Sequence, residues 1–138
     1  MTYYEFVRRP RTLRRRVLHK VEDVRLKEVA CMSTTASFKE RVQTSPVNST
    51  ELSYIRYIDA KNELDKLMEE LRVAQDEVRE FFYDNLCQDY ANLLEWKYID
   101  DKRLQDIAII EDIAYQTAKN KVSKAEKKAR TAWAKMQA

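Results

Sequence analysis

The chain has no glycine in its 138 residues, and this absence restricts its folds and functions more than any other feature. Average glycine usage near 7% predicts about ten in a chain of this length. Phosphate-binding loops, the dinucleotide-binding fingerprint and the nucleophile elbow all need glycine at fixed places. Tight β-hairpins depend on it too. With only two prolines and 36% charged residues, the composition predicts an all-α protein.

Residue types that carry catalysis or bind metals are sparse. His19 is the only histidine and lies in an arginine-rich run, and Cys31 and Cys87 form no metal or redox motif. We therefore expect no enzyme, no metal site and no cofactor. No stretch approaches 18 apolar residues, and no apolar region follows the basic N-terminus. We therefore expect a cytoplasmic protein that has no membrane partner.

The net charge of +3 conceals a strong segregation of charge along the chain. Residues 1–50 carry a net charge of +6, residues 51–101 carry −8, and residues 102–138 carry +5. Basic ends of this kind suggest contact with nucleic acid. The alternative is that the acidic segment neutralises its basic neighbours inside one helical bundle, and charge alone does not decide between the two.

The first half of the chain predicts two helices joined by a loop. Residues 11–30 place Leu13, Val17, Val21 and Val24 at helical spacing, with Pro10 just before the helix. Residues 31–50 lose this period, are rich in serine and threonine and contain Pro46, which predicts a loop.

The clearest element is a long helix over residues 50–84, with an apolar seam that repeats at alternating spacings of three and four. The seam residues are Tyr57, Ala60, Leu64, Leu67, Leu71, Ala74, Val78 and Phe81. Almost four heptads predict a continuous helix about 50 Å long that needs a partner. That partner is either the first helix, folded back as an antiparallel hairpin, or a second copy of the chain in a homodimer.

The last third of the chain predicts two short helices, over about 86–98 and 102–110, and a final helix from about 113. This order, with a turn of about three residues before a basic helix, is typical of a helix-turn-helix. Ala108 supplies the small residue where the helices cross, and Asp112 tolerates the left-handed backbone that the turn needs. Ile113, Ala118 and Val122 form the expected inner face.

The outer face of the final helix carries side chains that suit DNA. Glutamine and asparagine pair with adenine in the major groove, and lysine pairs with guanine or phosphate. Lysines along a helix are also common on a solvated surface, but after a helix-turn-helix we favour phosphate contact. The predicted DNA-binding residues are Lys102, Arg103, Tyr115, Gln116, Lys119, Asn120, Ser123, Lys124 and Lys128.

The stretch from Tyr98 to Ala125 resembles the fourth region of bacterial sigma factors. The residues that fit its pattern are Tyr98, Leu104, Ile107, Ala108, Thr117, Val122 and Ala125. Asp101 and Asp112 stand in place of the family glycines, and Ala114 stands where a serine or threonine caps the recognition helix, so Asp112 is a candidate for that cap. From about residue 8 to 130, the order of an arginine-rich helix, a loop, a heptad helix and this module is similar to small phage late-gene activators of the ArpU and RinA type.

This resemblance implies a phage transcriptional regulator that binds double-stranded promoter DNA and activates late genes together with host RNA polymerase in the bacterial cytoplasm. Its expected segments are a basic helix and loop at 1–50, the heptad helix at 51–85 and the DNA-binding module at 86–138. The alternatives are a non-catalytic helical protein-binding module, such as a phage adaptor or an inhibitor of a host factor, and a non-specific binder that uses its basic ends.

Overall fold

The computed structural model describes the backbone of residues 1–40 and 47–138 and the side chains of residues 1–32 and 51–138. Over these residues the chain is all-α, as predicted. The helices are α1 (Tyr3–Glu40), α2 (Val47–Asn85), α3 (Gln88–Tyr98), α4 (Leu104–Glu111) and α5 (Tyr115–Gln137). None of the helices in this part of the chain is both apolar and long enough to cross a lipid bilayer.

The first helix starts earlier than the sequence predicted. Thr2 and Glu5 form a capping box, in which the Thr2 amide donates to the Glu5 carboxylate at 3.0 Å and the Glu5 amide donates to the Thr2 hydroxyl at 3.2 Å. Pro10 therefore lies inside α1 rather than before it, and its ring is buried. A proline within a helix leaves one carbonyl of the preceding turn without its usual donor.

Much of the segment expected to be a loop, residues 31–50, is helical in the structure. Residues 31–40 continue α1 and residues 47–50 begin α2, so the serine and threonine residues there do not end the first helix. The rest of the predicted loop, including Pro46, lies outside the described residues. The long helix itself is confirmed as one continuous element from Val47 to Asn85.

The chain divides into two compact units, whose boundaries differ from those of the three segments expected from the sequence. The first unit comprises Met1–Thr12 and Leu71–Ala138, and the second comprises Leu13–Glu70. In the first unit, α1 and α2 run antiparallel, because the Phe6 ring lies 5.6 Å from the Phe81 ring while Arg9 lies 3.6 Å from Glu77. This pairing of α1 with α2 lies within one chain.

The hydrophobic core of the first unit combines residues from all five helices. Phe82, Leu94, Ile107 and Val7 are fully buried at 0% exposure. The other buried members are Tyr3, Val78, Phe81, Leu86, Ala91, Leu93, Tyr98, Ile99, Val122, Ala125 and Ala129. The start of α1 is therefore part of the core on which α3, α4 and α5 pack.

The second unit has a thinner core. Leu13 and Ala60 are buried and Lys20 of α1 pairs with Glu63 of α2, but several large apolar side chains are exposed. Val21, which the sequence predicted to lie on the inner seam, is one of them. The exposed side chains of this unit are Leu18, Val21, Leu26, Val29, Met32, Leu52, Tyr54, Ile55 and Met68.

A buried carboxylate joins α1, α3 and α5 in the first unit. Glu126 is only 7% exposed. It accepts hydrogen bonds from the Tyr3 hydroxyl at 3.3 Å, from the Tyr98 hydroxyl, and from the Lys97 ammonium at 3.3 Å. Burial, reinforced by Glu126, raises the pKa of both tyrosines above the ordinary value. The carboxyl group of Glu126, although buried, is thus satisfied by three donors.

We expect the protein to lose stability at alkaline pH through these tyrosines. The unfolded chain ionises its tyrosines near pH 10, whereas the raised pKa of Tyr98 keeps the folded state protonated there. The contribution of these tyrosines to the free energy of unfolding is therefore fully present below about pH 10 and falls as the pH rises further. Hydrogen bonding to Glu95 likewise raises the pKa of Tyr83 to about 12.

The measurement is urea unfolding at a series of pH values for the wild type and for Tyr98→Phe. The variant should be less stable at neutral pH by about 1–3 kcal/mol, because Glu126 loses a buried donor. It should then lose less further stability than the wild type above about pH 10. Tyr115→Phe, a change at an exposed tyrosine, is the matched control. If the free energy of unfolding fell in parallel with pH for all three proteins, the loss of stability at alkaline pH would not come from Tyr98.

Candidate nucleic-acid interface

The segment predicted to be a helix-turn-helix consists of α4, a turn at residues 112–114 and α5. Ile107 and Ala108 of α4 are buried, as are Ala118 and Val122 of α5, so the apolar faces expected from the sequence meet in the core. Ile113 is half-buried in the turn. The helix boundaries lie within two residues of those predicted, and the small side chain of Ala108 allows the two helices to approach closely.

Asp112 provides the left-handed turn in place of glycine. Its backbone has φ 54° and ψ 48°. The Ile113 amide donates to the Ala108 carbonyl at 3.0 Å and the Asp112 amide to the Ile109 carbonyl at 3.2 Å. These two bonds form a Schellman motif at the end of α4. Asp101, the second residue in place of a family glycine, also has φ 54° and lies between α3 and α4.

The cap of α5 differs from the prediction. Ala114 is the residue before the helix, with extended backbone (φ −66°, ψ 148°) and no side-chain hydrogen bond. Asp112 does not cap α5, because its left-handed backbone belongs to the end of α4. The first amides of α5 therefore have no side-chain acceptor at the N-cap position, the place where helix N-termini bind anions such as phosphate.

Replacing Asp112 with glycine should raise the free energy of unfolding by about 0.5–1 kcal/mol, because glycine adopts positive φ without steric cost. Lys121→Gly, at an exposed position inside α5, should lower it by about 1 kcal/mol. Asp112→Val should also lower it, since a β-branched side chain is disfavoured at positive φ. Urea unfolding of the three variants checks these signs. A destabilised Asp112→Gly would mean that the aspartate side chain makes a stabilising interaction of its own.

Four of the predicted DNA-binding residues share one face of α5. Gln116, Lys119, Asn120 and Ser123 recur at helical spacing, and all are exposed. Their face points away from the buried residues Ala118, Val122, Ala125 and Ala129. We call these four residues the reading face. It presents two amides, an ammonium and a hydroxyl, which are side chains that form hydrogen bonds to base edges.

The two amides of the reading face are arranged as a pair. The Gln116 Nε2 group donates to Asn120 Oδ1 at 3.4 Å. Both side chains are exposed, so this weak contact is readily exchanged for one with a ligand. The pair leaves further donors and acceptors open on each amide.

The remaining predicted residues lie around this face rather than on it. Tyr115 is the first residue of α5 and is 49% exposed. Lys124 is exposed on a neighbouring face of the same helix. Lys128 lies against α3, with its ammonium 4.9 Å from the centre of the Tyr90 ring. The structure therefore does not bring Lys128 together with Gln116.

Lys102 and Arg103 lie in the turn before α4. Both are exposed, and Arg103 is the N-cap residue, with its amide donating to Asp106 Oδ2 at 3.2 Å. They are therefore available as surface cations at the start of the first helix of the helix-turn-helix. Ile109 of the same helix is also exposed, at 78%.

The sequence interpretation favoured phosphate contact for the basic run of α5, which includes Lys127 and Arg130, but missed that this run meets cations of α1 and α3 beside the reading face. The resulting cluster combines Arg8 and Arg11 of α1, Lys97 of α3, and Lys127 and Arg130 of α5 with Lys119. All of these residues belong to the first unit. The basic composition of both ends of the chain does not indicate which residues of α1 and α5 meet.

No protein-family model, curated protein or solved structure matches the chain significantly.

Proposed function

We propose that the chain is a regulator that binds double-stranded DNA through α4 and α5. The observation that carries the proposal is the reading face on the second helix of a helix-turn-helix whose turn has the left-handed residue at Asp112. A helix that follows such a turn is the element that enters the major groove, with its N-terminal residues next to base edges. Gln116, Lys119 and Asn120 occupy those N-terminal turns.

The finer proposal is a phage transcriptional activator of late genes that acts with host RNA polymerase in the bacterial cytoplasm. It is supported by the resemblance to the fourth region of sigma factors and to activators of the ArpU and RinA type. The mechanism is recruitment: the reading face holds the protein near a promoter while another surface contacts polymerase. The exposed apolar side chain of Ile109, on the helix before the turn, is a candidate for that second contact.

Selection from a pool of random duplexes tests the proposal. The purified protein should enrich a short motif, and a gel shift with that motif should resist excess unrelated duplex. Binding should weaken as salt rises, since phosphate contacts release counterions. Enrichment of no motif, with all duplexes competing equally, would reduce the proposal to non-specific binding. Absence of any binding at low salt would overturn it.

The second candidate is a helical protein-binding module, and the exposed apolar side chains of the second unit favour it. Nine large apolar residues are exposed there, five of them on α1, and exposed apolar surface that is contiguous marks interaction sites. A host protein or a second copy of the chain is the partner this surface suggests. Light scattering at micromolar concentration separates these partners: a dimer mass supports self-association, and a monomer mass removes it.

A further inference from the structure

A groove in the first unit brings cations from three helices beside the reading face. It encloses about 500 Å³ and is lined by residues that include Arg8 and Arg11 of α1, Lys97 of α3, and Lys119 and Arg130 of α5. We call it the basic groove. Its wall on α1 is separated from its wall on α5 by more than a hundred residues of sequence, so only the fold creates it.

The α1 wall of the basic groove is held firmly in place. Tyr3 donates a hydrogen bond to Glu126 of α5 at 3.3 Å, and Val7 is completely buried. The Tyr4 ring lies 5.0 Å from the Arg8 guanidinium and 6.0 Å from that of Arg130. One aromatic ring thus lies beside a cation from each wall, which orders both guanidinium groups before any ligand binds.

The positive charge of the groove is only partly neutralised, because Lys97 and Arg11 have carboxylate partners and the other cations do not. Its one carboxylate, Glu126, already accepts hydrogen bonds from Tyr3, Tyr98 and Lys97. Arg11 pairs with Asp101 at 3.2 Å. Among the described residues, no carboxylate lies within ion-pair distance of Arg8, Lys119 or Arg130. Clustered cations without counter-charges favour an anionic ligand.

The position of the groove along α5 points to the phosphates of a duplex. Lys119 belongs both to the reading face and to the groove. Arg130 lies eleven residues further along α5, which is about 16 Å at 1.5 Å per residue. The major groove is about 12 Å wide. When the start of α5 contacts bases, the far end of the basic groove therefore lies beyond the major groove, where the sugar–phosphate backbone runs.

We propose that Arg8 and Arg11, at the start of α1, bind the phosphate backbone of the same duplex whose bases the reading face contacts. This inference rests on the proposed function and extends it to a segment outside the helix-turn-helix. The two arginines fix the position of α5 on the duplex and carry no sequence information themselves.

The test is the salt dependence of duplex binding by Arg8→Gln/Arg11→Gln, measured on the selected motif. Two lost phosphate contacts should reduce the slope of log affinity against log salt by about two, and should weaken binding about 10- to 100-fold at about 0.1 M salt. The single variant Arg8→Gln should reduce the slope by about one. Arg15→Gln/Arg16→Gln is the matched control, since it removes the same charge from exposed positions of α1 outside the groove.

The outcomes separate this inference from the proposed function. If the wild type binds no duplex, the proposed function itself fails. If the wild type binds and Arg8→Gln/Arg11→Gln keeps the wild-type slope, only the basic groove is excluded as a phosphate site. An equal loss of affinity and of salt slope in Arg15→Gln/Arg16→Gln would likewise overturn the inference. It would show that the effect comes from the net charge of the protein and not from the position of the two arginines. Far-UV circular dichroism and thermal unfolding establish that each variant is folded, and Arg8→Gln alone leaves the Arg11 ion pair intact.

Discussion

Replacing Leu94 with alanine should lower the free energy of unfolding by about 2–5 kcal/mol. Leu94 is completely buried in the core of the first unit, together with Phe82 and Ile107. Its truncation removes apolar contacts and leaves a cavity that the surrounding helices close only in part. Since small proteins are stable by about 5–15 kcal/mol, the loss is a large fraction of the total. Urea unfolding followed by circular dichroism measures it.

Leu18→Ala is the matched control for this prediction. The same side chain is removed from a helix, but Leu18 is 63% exposed. The expected change is within about 0.5 kcal/mol. A large loss at Leu18 would show that its side chain is covered in solution, and so would identify an interface on the second unit. A loss at Leu94 no larger than that at Leu18 would contradict the core described above.

The double replacement Gln116→Ala/Asn120→Ala should weaken binding to the selected duplex motif by about 2–4 kcal/mol, or about 30- to 1000-fold. These two amides are at the start of α5 and contact each other at 3.4 Å. Their individual effects are therefore not expected to add. Binding to unrelated duplex should change little, because the amides contribute no charge. Competition gel shifts on specific and unrelated duplexes give both affinities.

The matched control is Asn62→Ala/Gln88→Ala, which removes the same two residue types from exposed positions of α2 and α3, outside the two helices proposed to bind DNA. It should bind the motif as the wild type does. If the Gln116→Ala/Asn120→Ala variant also keeps wild-type affinity, α5 does not read bases, and the protein-binding module becomes the better proposal. Equal weakening on specific and unrelated duplexes would indicate that the amides support folding rather than recognition.

The all-α fold and the long helix follow directly from the sequence. The seam from Tyr57 to Phe81 repeats without interruption, and the structure has one helix there. The predicted start of α1 was wrong because Pro10 was interpreted as the residue just before the helix. The Thr2 and Glu5 capping box was the stronger local signal, since its two hydrogen bonds stabilise the first turn ahead of the proline.

The candidate site was predictable in one part and not in another. Positions 116, 119, 120 and 123 share a face by helical geometry alone, so the spacing of the residues was sufficient. The basic groove was not predictable, because it depends on the start of α1 packing against α5. No period or motif connects Arg8 with Arg130. Their proximity arises from the burial of Val7 and the hydrogen bond from Tyr3 to Glu126.

The participation of Met1–Thr12 in the first unit has a consequence for how the chain folds during synthesis. Ribosomes add about 5–20 residues per second. The first helical turns therefore leave the ribosome about 6–24 seconds before Ala125 and Ala129, the residues that complete their core. During that interval Val7 and Phe6 have no native partners on α5. A nascent chain truncated before α5 is thus expected to present an apolar, arginine-rich segment that chaperones or proteases recognise.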